Sequence, residues 1–171
     1  MTHDEARAML AGAELIHSAE SVQAALAGVA GAIQERLAGR NPLVLCVMTG
    51  AVVFCGQLLP RLEFPLDFDY LHATRYGPDT QGGKISWRTA PWTSVKGRCV
   101  LVVDDILDEG VTLAAVKESL LRLGAAEVLI AVFADKANGR TKPVALSAIA
   151  SSSAMAWMPA APGATCRPST P

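Results

Sequence analysis

VLVVDDILDEGVTL, residues 100–113, joins an apolar run to two adjacent acids, two more apolar residues, two further acids, a glycine and a threonine. An uncharged, β-rich run of this kind reads as a buried strand. Asp104 and Asp105 then fall at its carboxyl end, Asp108 to Gly110 form a turn, and a helix starts near Thr112. In an open α/β sheet that is where ligands bind. The helix start offers unpaired backbone N–H groups and a partial positive charge. Both suit a phosphate lying against the amides of residues 109 to 112, with the Thr112 hydroxyl as a further donor. Gly110 lets the backbone come close. The acids have a different task, because they repel a phosphate. Two adjacent carboxylates suit sugar hydroxyls and a hydrated Mg²⁺, and a third suits proton transfer. Capping and the helix dipole account for acids such as Asp108 and Glu109, but not for an Asp pair that ends an apolar strand.

Outward from this stretch the pattern alternates. Thr2 with Glu5 fits a capping box, and Val22, Leu26, Val29, Ile33 and Leu37 repeat at helical spacing until Gly39 and Pro42. Two helices therefore come first. Strand candidates follow at Leu43 to Met48, Leu66 to Ala73, Arg98 to Val103 and Val128 to Ala134, with helices at Val52 to Leu59 and Thr112 to Leu123. Strands alternating with helices predict an open, mostly parallel twisted sheet flanked by helices. Thr74 to Val95, rich in Gly, Thr and Pro, reads as a long loop with at most a short hairpin around Ile85 to Arg88. Loops of that length serve as lids or binding loops.

Composition bounds the function. The chain has 171 residues, of which 51% are hydrophobic, enough for one well-cored domain and short for two. A net charge of -1 provides no basic field for nucleic acid or an anionic membrane, so small partners are expected. Cys46, Cys55, Cys99 and Cys166 stand at wide, irregular spacings with no CxxC pair, against a zinc site or a disulfide framework and in favour of a reducing cytoplasm. The N-terminus MTHDEARAML lacks a basic start followed by an apolar core, so no signal peptide is expected. The uncharged stretch Leu43 to Leu59 is barely long enough to cross a bilayer, and Thr49-Gly50 divides it into a β-rich and a helix-like half.

VVDDILDEGVT resembles the phosphoribosyl-pyrophosphate signature of the type I phosphoribosyltransferases. Other segments narrow the resemblance to the hypoxanthine-guanine branch. VMTGAVVF, residues 47–54, resembles its pyrophosphate loop; FDYLHATRYG, residues 68–77, resembles its central strand and flexible loop; and Lys136 stands where its purine-contacting lysine follows the next strand. The resemblance covers roughly Leu10 to Lys142. It implies purine salvage: transfer of the phosphoribosyl group from phosphoribosyl pyrophosphate to hypoxanthine or guanine, with Mg²⁺ as cofactor, in a cytoplasmic homodimer or homotetramer. By the same resemblance, Asp104 and Asp105 hold the ribose hydroxyls, partly through the metal, and Asp108 is the general base at the purine N7. Glu109, Gly110, Val111 and Thr112 clasp the 5′-phosphate, and Met48, Thr49 and Gly50 meet the pyrophosphate. Lys136 donates to the purine 6-oxo group, and Arg75 and Tyr76 sit on the lid. Glu109 departs from the Thr common at its position, though its amide can still serve the phosphate.

The end of the chain departs from the family. After the lysine the branch continues with a strand, an aromatic that stacks on the purine, an Asp that binds a second magnesium, and a closing strand. The sequence instead reads ALSAIASSSAMAWMPAAPGATCRPSTP, with no acid after Asp135 and no strand-like alternation. Read one nucleotide earlier from Ser151, permitted codons give LVFGYGMDA and later WRNLPSIYA, which resemble the missing end. The expectation is a frameshift near Ala148, a domain over residues 1–147, an aberrant and disordered tail over 148–171, loss of the last strand region, and impaired activity. Two other classes are weighed against this reading. A regulator keeping the phosphoribosyl-pyrophosphate site as a sensor without catalysis would carry a basic face, which the net charge of -1 argues against. A phosphoacceptor receiver domain would place its acids near the first strand, with no glycine-threonine loop after them.

Overall fold

Helix α1 (His3–Ala11) begins with the capping box expected of Thr2 and Glu5: the Thr2 amide donates to Glu5 Oε2 at 2.6 Å, and the Glu5 amide donates to Thr2 Oγ1 at 3.3 Å. Helix α2 (Ala19–Leu37), capped by Ser18, presents Leu26, Val29, Ala30, Ile33 and Leu37 as one buried stripe. Each of the Leu, Val and Ile side chains contributes about 1.5–3 kcal/mol when fully removed from water. The computed structural model describes residues 1–75, 85–136 and 145–150. Over these the chain continues through β1 (Leu43–Val47), α3 (Val52–Leu58) with a 3-10 turn at Leu59–Arg61, β2 (Asp67–Arg75) and β3 (Ile85–Thr89). It then forms β4 (Cys99–Leu107), α4 (Val111–Arg122), β5 (Glu127–Asp135) and β6 (Ala145–Ala150).

The six strands form one sheet in the order β3-β2-β1-β4-β5-β6. All neighbours run parallel except the β2–β3 pair: where a local hairpin within Ile85 to Arg88 was expected, residues 85–89 instead form a strand antiparallel to β2, which itself runs on to Arg75. β1 and the first five residues of β4 are buried throughout, as strands covered on both faces must be. The uncharged stretch from Leu43 to Leu59 is thus divided between β1 and α3. No described helix is long and apolar enough to cross a membrane.

Two departures from the sequence reading matter for the site. β4 does not stop at Val103 but runs on to Leu107 beside β5, with Asp104 opposite Val132 and Leu107 opposite Asp135. Asp disfavours strands, yet here each carboxylate accepts the next amide: Asp105 N–H donates to Asp104 Oδ1 at 2.9 Å, and Ile106 N–H to Asp105 Oδ1 at 2.7 Å. The second departure is β6. Residues 145–150 show no alternation, but they extend the sheet along β5, from Ala145 opposite Ile130 to Ala150 opposite Asp135. The expected tail lies outside the described residues from 151 onward, and Tyr76 lies outside them as well.

Candidate active site

β1 pairs with β4 only as far as Cys46 opposite Val103. Beyond that point the chain leaves β1 through Met48, Thr49 and Gly50 and turns into α3, while β4 continues past the gap with its two acids. This break between central strands brings together segments that are far apart in the sequence. Gly50 is the point of contact. A Cβ built on it would lie 2.1 Å from Asp105 Oδ2 and 2.6 Å from Asp105 Cγ, so only a residue without a side chain fits against that carboxylate. The Met48–Thr49 peptide is cis, and the Met48 amide donates to the Leu71 carbonyl at 2.8 Å.

Asp104 is half-buried. Loss of water, and then the charge of Asp105 beside it, push its carboxyl up to about 8. A neighbouring cation would relieve that crowding, so the pair fits a divalent metal. Two carboxylates with remaining positions for water and substrate oxygens also match the way Mg²⁺ is commonly held. Among the described residues no group of three or more His, Cys, Asp or Glu converges on one point.

Past β4 the backbone turns through Asp108 and Glu109 to Gly110, which caps α4 in the left-handed conformation with φ 74°. That conformation favours glycine. Gly110 has no side chain with which to cap α4, and the backbone amides at a helix start are the groups that meet an anion. Opposite this turn, β5 delivers Lys136: its amide donates to the Leu107 carbonyl at 3.1 Å, and its Nζ donates to Asp108 Oδ2 at 2.9 Å. Two residues separated by the whole of α4 and β5 are thereby brought face to face. Arg75 is the last residue of β2; Tyr76 lies outside the described residues.

One buried polar residue of β2 was not singled out in the sequence. Asp69, in β2, is the buried charged side chain among the described residues, at 8% exposure. Its carboxylate accepts the Tyr70 and Thr93 amides, each at 2.7 Å, and so ties the segment leading into β4 back to β2. The signal was available: an Asp within an otherwise β-rich stretch requires a partner.

Comparison with known proteins follows this geometry. A family model described as a phosphoribosyl transferase domain matches residues 13–157. A hypoxanthine-guanine-xanthine phosphoribosyltransferase of Tritrichomonas foetus is 30% identical over 126 residues, 74% of this chain and 69% of that protein. The hypoxanthine-guanine phosphoribosyltransferase of Lactococcus lactis subsp. lactis is 38% identical over 103 residues, 60% of this chain but only 56% of its own length. Among solved structures, a hypoxanthine phosphoribosyltransferase from Staphylococcus aureus superposes with a TM-score of 0.75 at 20% identity, covering 84% of this chain and 80% of that one, a likeness of fold.

Proposed function

We propose a reaction from one established premise: the chain belongs to the phosphoribosyl transferase domain family, in its hypoxanthine-guanine branch. In the proposed reaction the phosphoribosyl group passes from phosphoribosyl pyrophosphate to hypoxanthine or guanine. The products are inosine or guanosine monophosphate and pyrophosphate, a purine-salvage step. The observation that carries the proposal is the Asp108–Lys136 pair, Oδ2 to Nζ at 2.9 Å, set next to the start of α4. A 6-oxopurine offers a donor at N7 and an acceptor at C6, and it can take the place of that ion pair by giving its N7 proton to Asp108 and accepting from Lys136. A 6-aminopurine would set a donor against the ammonium and leave it without an acceptor, which accounts for selectivity.

The remaining roles follow the same reading. Glu109 to Thr112 hold the 5′-phosphate on backbone amides, and Met48 to Gly50 orient the pyrophosphate. Asp104 and Asp105 hold the ribose hydroxyls and would hold Mg²⁺, which when bound offsets the negative charge gained by the leaving pyrophosphate. Arg75 and Tyr76 are proposed for the lid that excludes water. The cytoplasm is the proposed compartment, in keeping with free thiols at Cys46, Cys55 and Cys99. A homodimer or homotetramer is proposed as the working form. Phe68 and Tyr70, exposed on β2, offer apolar area for a second copy to cover.

The test uses ligand-induced stabilisation. Phosphoribosyl pyrophosphate with Mg²⁺ should raise the melting temperature, with about 2.7 kcal/mol available at a hundredfold excess over the dissociation constant; no shift at any concentration would refute the site. The proposed frameshift near Ala148 makes a separate statement. The protein with its present C-terminus should form nucleoside monophosphate only at background, and a frame-restored version should turn over. Inosine monophosphate formed at an ordinary rate by the protein with its present C-terminus would show the altered tail to be dispensable.

A further inference from the structure

Phe54 and Phe133 have no part in the proposed reaction, yet they meet beside residues that do. Phe54, at 2% exposure, lies in the first turn of α3, and its ring packs on that of Phe133 in β5 with centroids 5.5 Å apart and planes tilted by 52°, a separation at which aromatic pairs attract. The strand register explains where this contact falls. Asp104 lies opposite Val132 and Ile106 opposite Ala134, so Phe133 stands level with Asp105 on the neighbouring strand, and residues level with one another on paired strands leave the sheet on the same face. On that face the α3 segment touches both. Gly50, just ahead of the helix, meets the Asp105 carboxylate, and Phe54, about one turn later, meets Phe133.

We propose that the Phe54–Phe133 contact is a positioning device: it sets how α3 sits on the sheet, and through α3 it holds the Met48–Gly50 loop against Asp105 in the geometry that phosphoribosyl pyrophosphate requires. The segment between the two contacts is stiff enough to transmit such a setting. Ala51 already has helical backbone angles, φ -71° and ψ -9°. Its amide donates to the Val47 carbonyl at 3.2 Å, the Val52 amide to the Thr49 carbonyl at 3.4 Å, and the Cys55 amide to the Ala51 carbonyl at 2.8 Å. A displacement of Phe54 therefore reaches Gly50 through continuous hydrogen-bonded backbone.

The two phenylalanines act through their neighbours, so both are positioning residues. A smaller side chain at either place leaves space between helix and strand, and a packed core relaxes only partly around such a space. α3, seven residues long and without a side-chain cap, shifts or loosens over it and takes Gly50 along. The proposed 5′-phosphate clasp, Glu109 to Thr112, belongs instead to the turn between β4 and α4 and stays where it is. The expected damage is therefore selective for the pyrophosphate. This expectation rests on the reading of Met48 to Gly50 as the pyrophosphate loop, whereas the seating of that loop by the aromatic pair does not.

The experiment titrates the full chain with phosphoribosyl pyrophosphate plus Mg²⁺ and, separately, with ribose 5-phosphate, which has the sugar and its phosphate but no pyrophosphate. Phe133→Leu, Phe54→Leu and the double variant are compared with the parent and with Ile33→Val, a core change in α2. Each Phe→Leu variant should bind phosphoribosyl pyrophosphate about tenfold more weakly, the size of change that substitutions outside a binding site commonly bring, and ribose 5-phosphate as the parent does. The double variant should lose little more than either single one, because both remove the same contact, and Ile33→Val should bind both ligands normally. Equal losses for the two ligands, no loss for either, or losses that add in the double variant would overturn the proposal. Hydrogen exchange at the amides of residues 48–52 is followed in parallel. If the parent itself fails to bind phosphoribosyl pyrophosphate, the site reading has failed; faster exchange there in Phe133→Leu than in Ile33→Val still supports the seating of the loop, and equal exchange overturns it. Should Phe133→Leu not fold, Phe133→Met, which keeps a flexible apolar chain against the Phe54 ring, takes its place in the same comparison.

Discussion

Gly50→Ala adds one methyl group at the most crowded point of the site. The new Cβ would stand 2.1 Å from Asp105 Oδ2, 2.6 Å from Cγ and 3.1 Å from Oδ1, where an ordinary carbon–oxygen contact needs about 3.4 Å. Gly50 is not among the positive-φ residues, so the perturbation is steric and not conformational. Something must move by about 1 Å. If the Asp105 side chain turns away, it gives up the Ile106 amide now bound at 2.7 Å, at a cost of about 1–3 kcal/mol. If the loop retreats instead, Met48 and Thr49 go with it. Either path leaves the fold intact but separates Asp105, proposed to hold the ribose, from the loop proposed to meet the pyrophosphate, and misplacement of that size commonly costs about 10²-fold in rate. In a frame-restored protein kcat/KM should therefore fall by about that factor, and in the protein with its present C-terminus the thermal shift with phosphoribosyl pyrophosphate and Mg²⁺ should shrink. Gly56→Ala, whose new Cβ would meet nothing within 4 Å, is the matched control. Parental kcat/KM and an undiminished shift in Gly50→Ala would show that loop and acid do not act as one unit.

Gly28 and Gly31 sit inside α2 with open space around a Cβ. Replacing both by Ala should stabilise the protein by ~2 kcal/mol and raise the melting temperature by about 4–8 °C; a lower melting temperature would mean that another surface packs on that face. Asp104 is held up to about 8 by burial and then by Asp105, above its unfolded value. Its contribution is therefore fully present below about pH 4 and is lost as pH rises through about 8. At ~1.4 kcal/mol per pH unit the ceiling is ~6 kcal/mol, which partial exposure and coupling reduce to ~2. Asp104→Asn should then melt about 4–8 °C higher than the parent at pH 9 and at the same temperature near pH 4, and a gain independent of pH would contradict the assignment. Burial alone would raise the Asp69 carboxyl, but hydrogen bonds from Thr93, Tyr70 and Trp92 outweigh it and hold the group below the usual carboxylate range. Its support is present at neutral pH and is lost as pH falls below about 4. Asp69→Ala should cost about 1–3 kcal/mol at pH 7 and less in acid, as denaturant midpoints would record.

The architecture was legible because the elements that build it are periodic. The α2 stripe from Leu26 to Leu37 and the buried runs of β1 and β4 follow from the spacing of apolar residues, whereas the pairing of β3 with β2 falls in a segment rich in Gly, Thr and Pro that reads as a loop. β6 was not legible: Ala, Ser and Ile in ALSAIA carry no alternation, and the strand exists because β5 offers an edge to pair with. The acids of β4 were read as lying beyond a strand end because Asp opposes strand formation. Each carboxylate accepting the next amide is a local compensation that the letters do not display. The candidate site divides in the same way. Asp104, Asp105 and the turn to Thr112 are contiguous and could be read directly, whereas the meeting of Lys136 with Asp108, and of Gly50 with Asp105, depends on strand order, which no single segment encodes.

That strand order also fixes when the site can exist during synthesis. Leu43 pairs with Val100 and Val44 with Leu101, so β1 waits for more than fifty residues before its second neighbour emerges from the ribosome. Lys136 comes later still, at the end of β5. A nascent chain exposing β1 and β2 holds an apolar strand edge that nothing yet covers, and long-range parallel pairing of this kind is slow and open to aggregation. The acidic residues following β4 arrive together with the strand that closes this edge. Arrest of translation between β2 and β4 should therefore leave a sticky, chaperone-dependent intermediate, while arrest after Lys136 leaves every segment of the proposed pocket already in place.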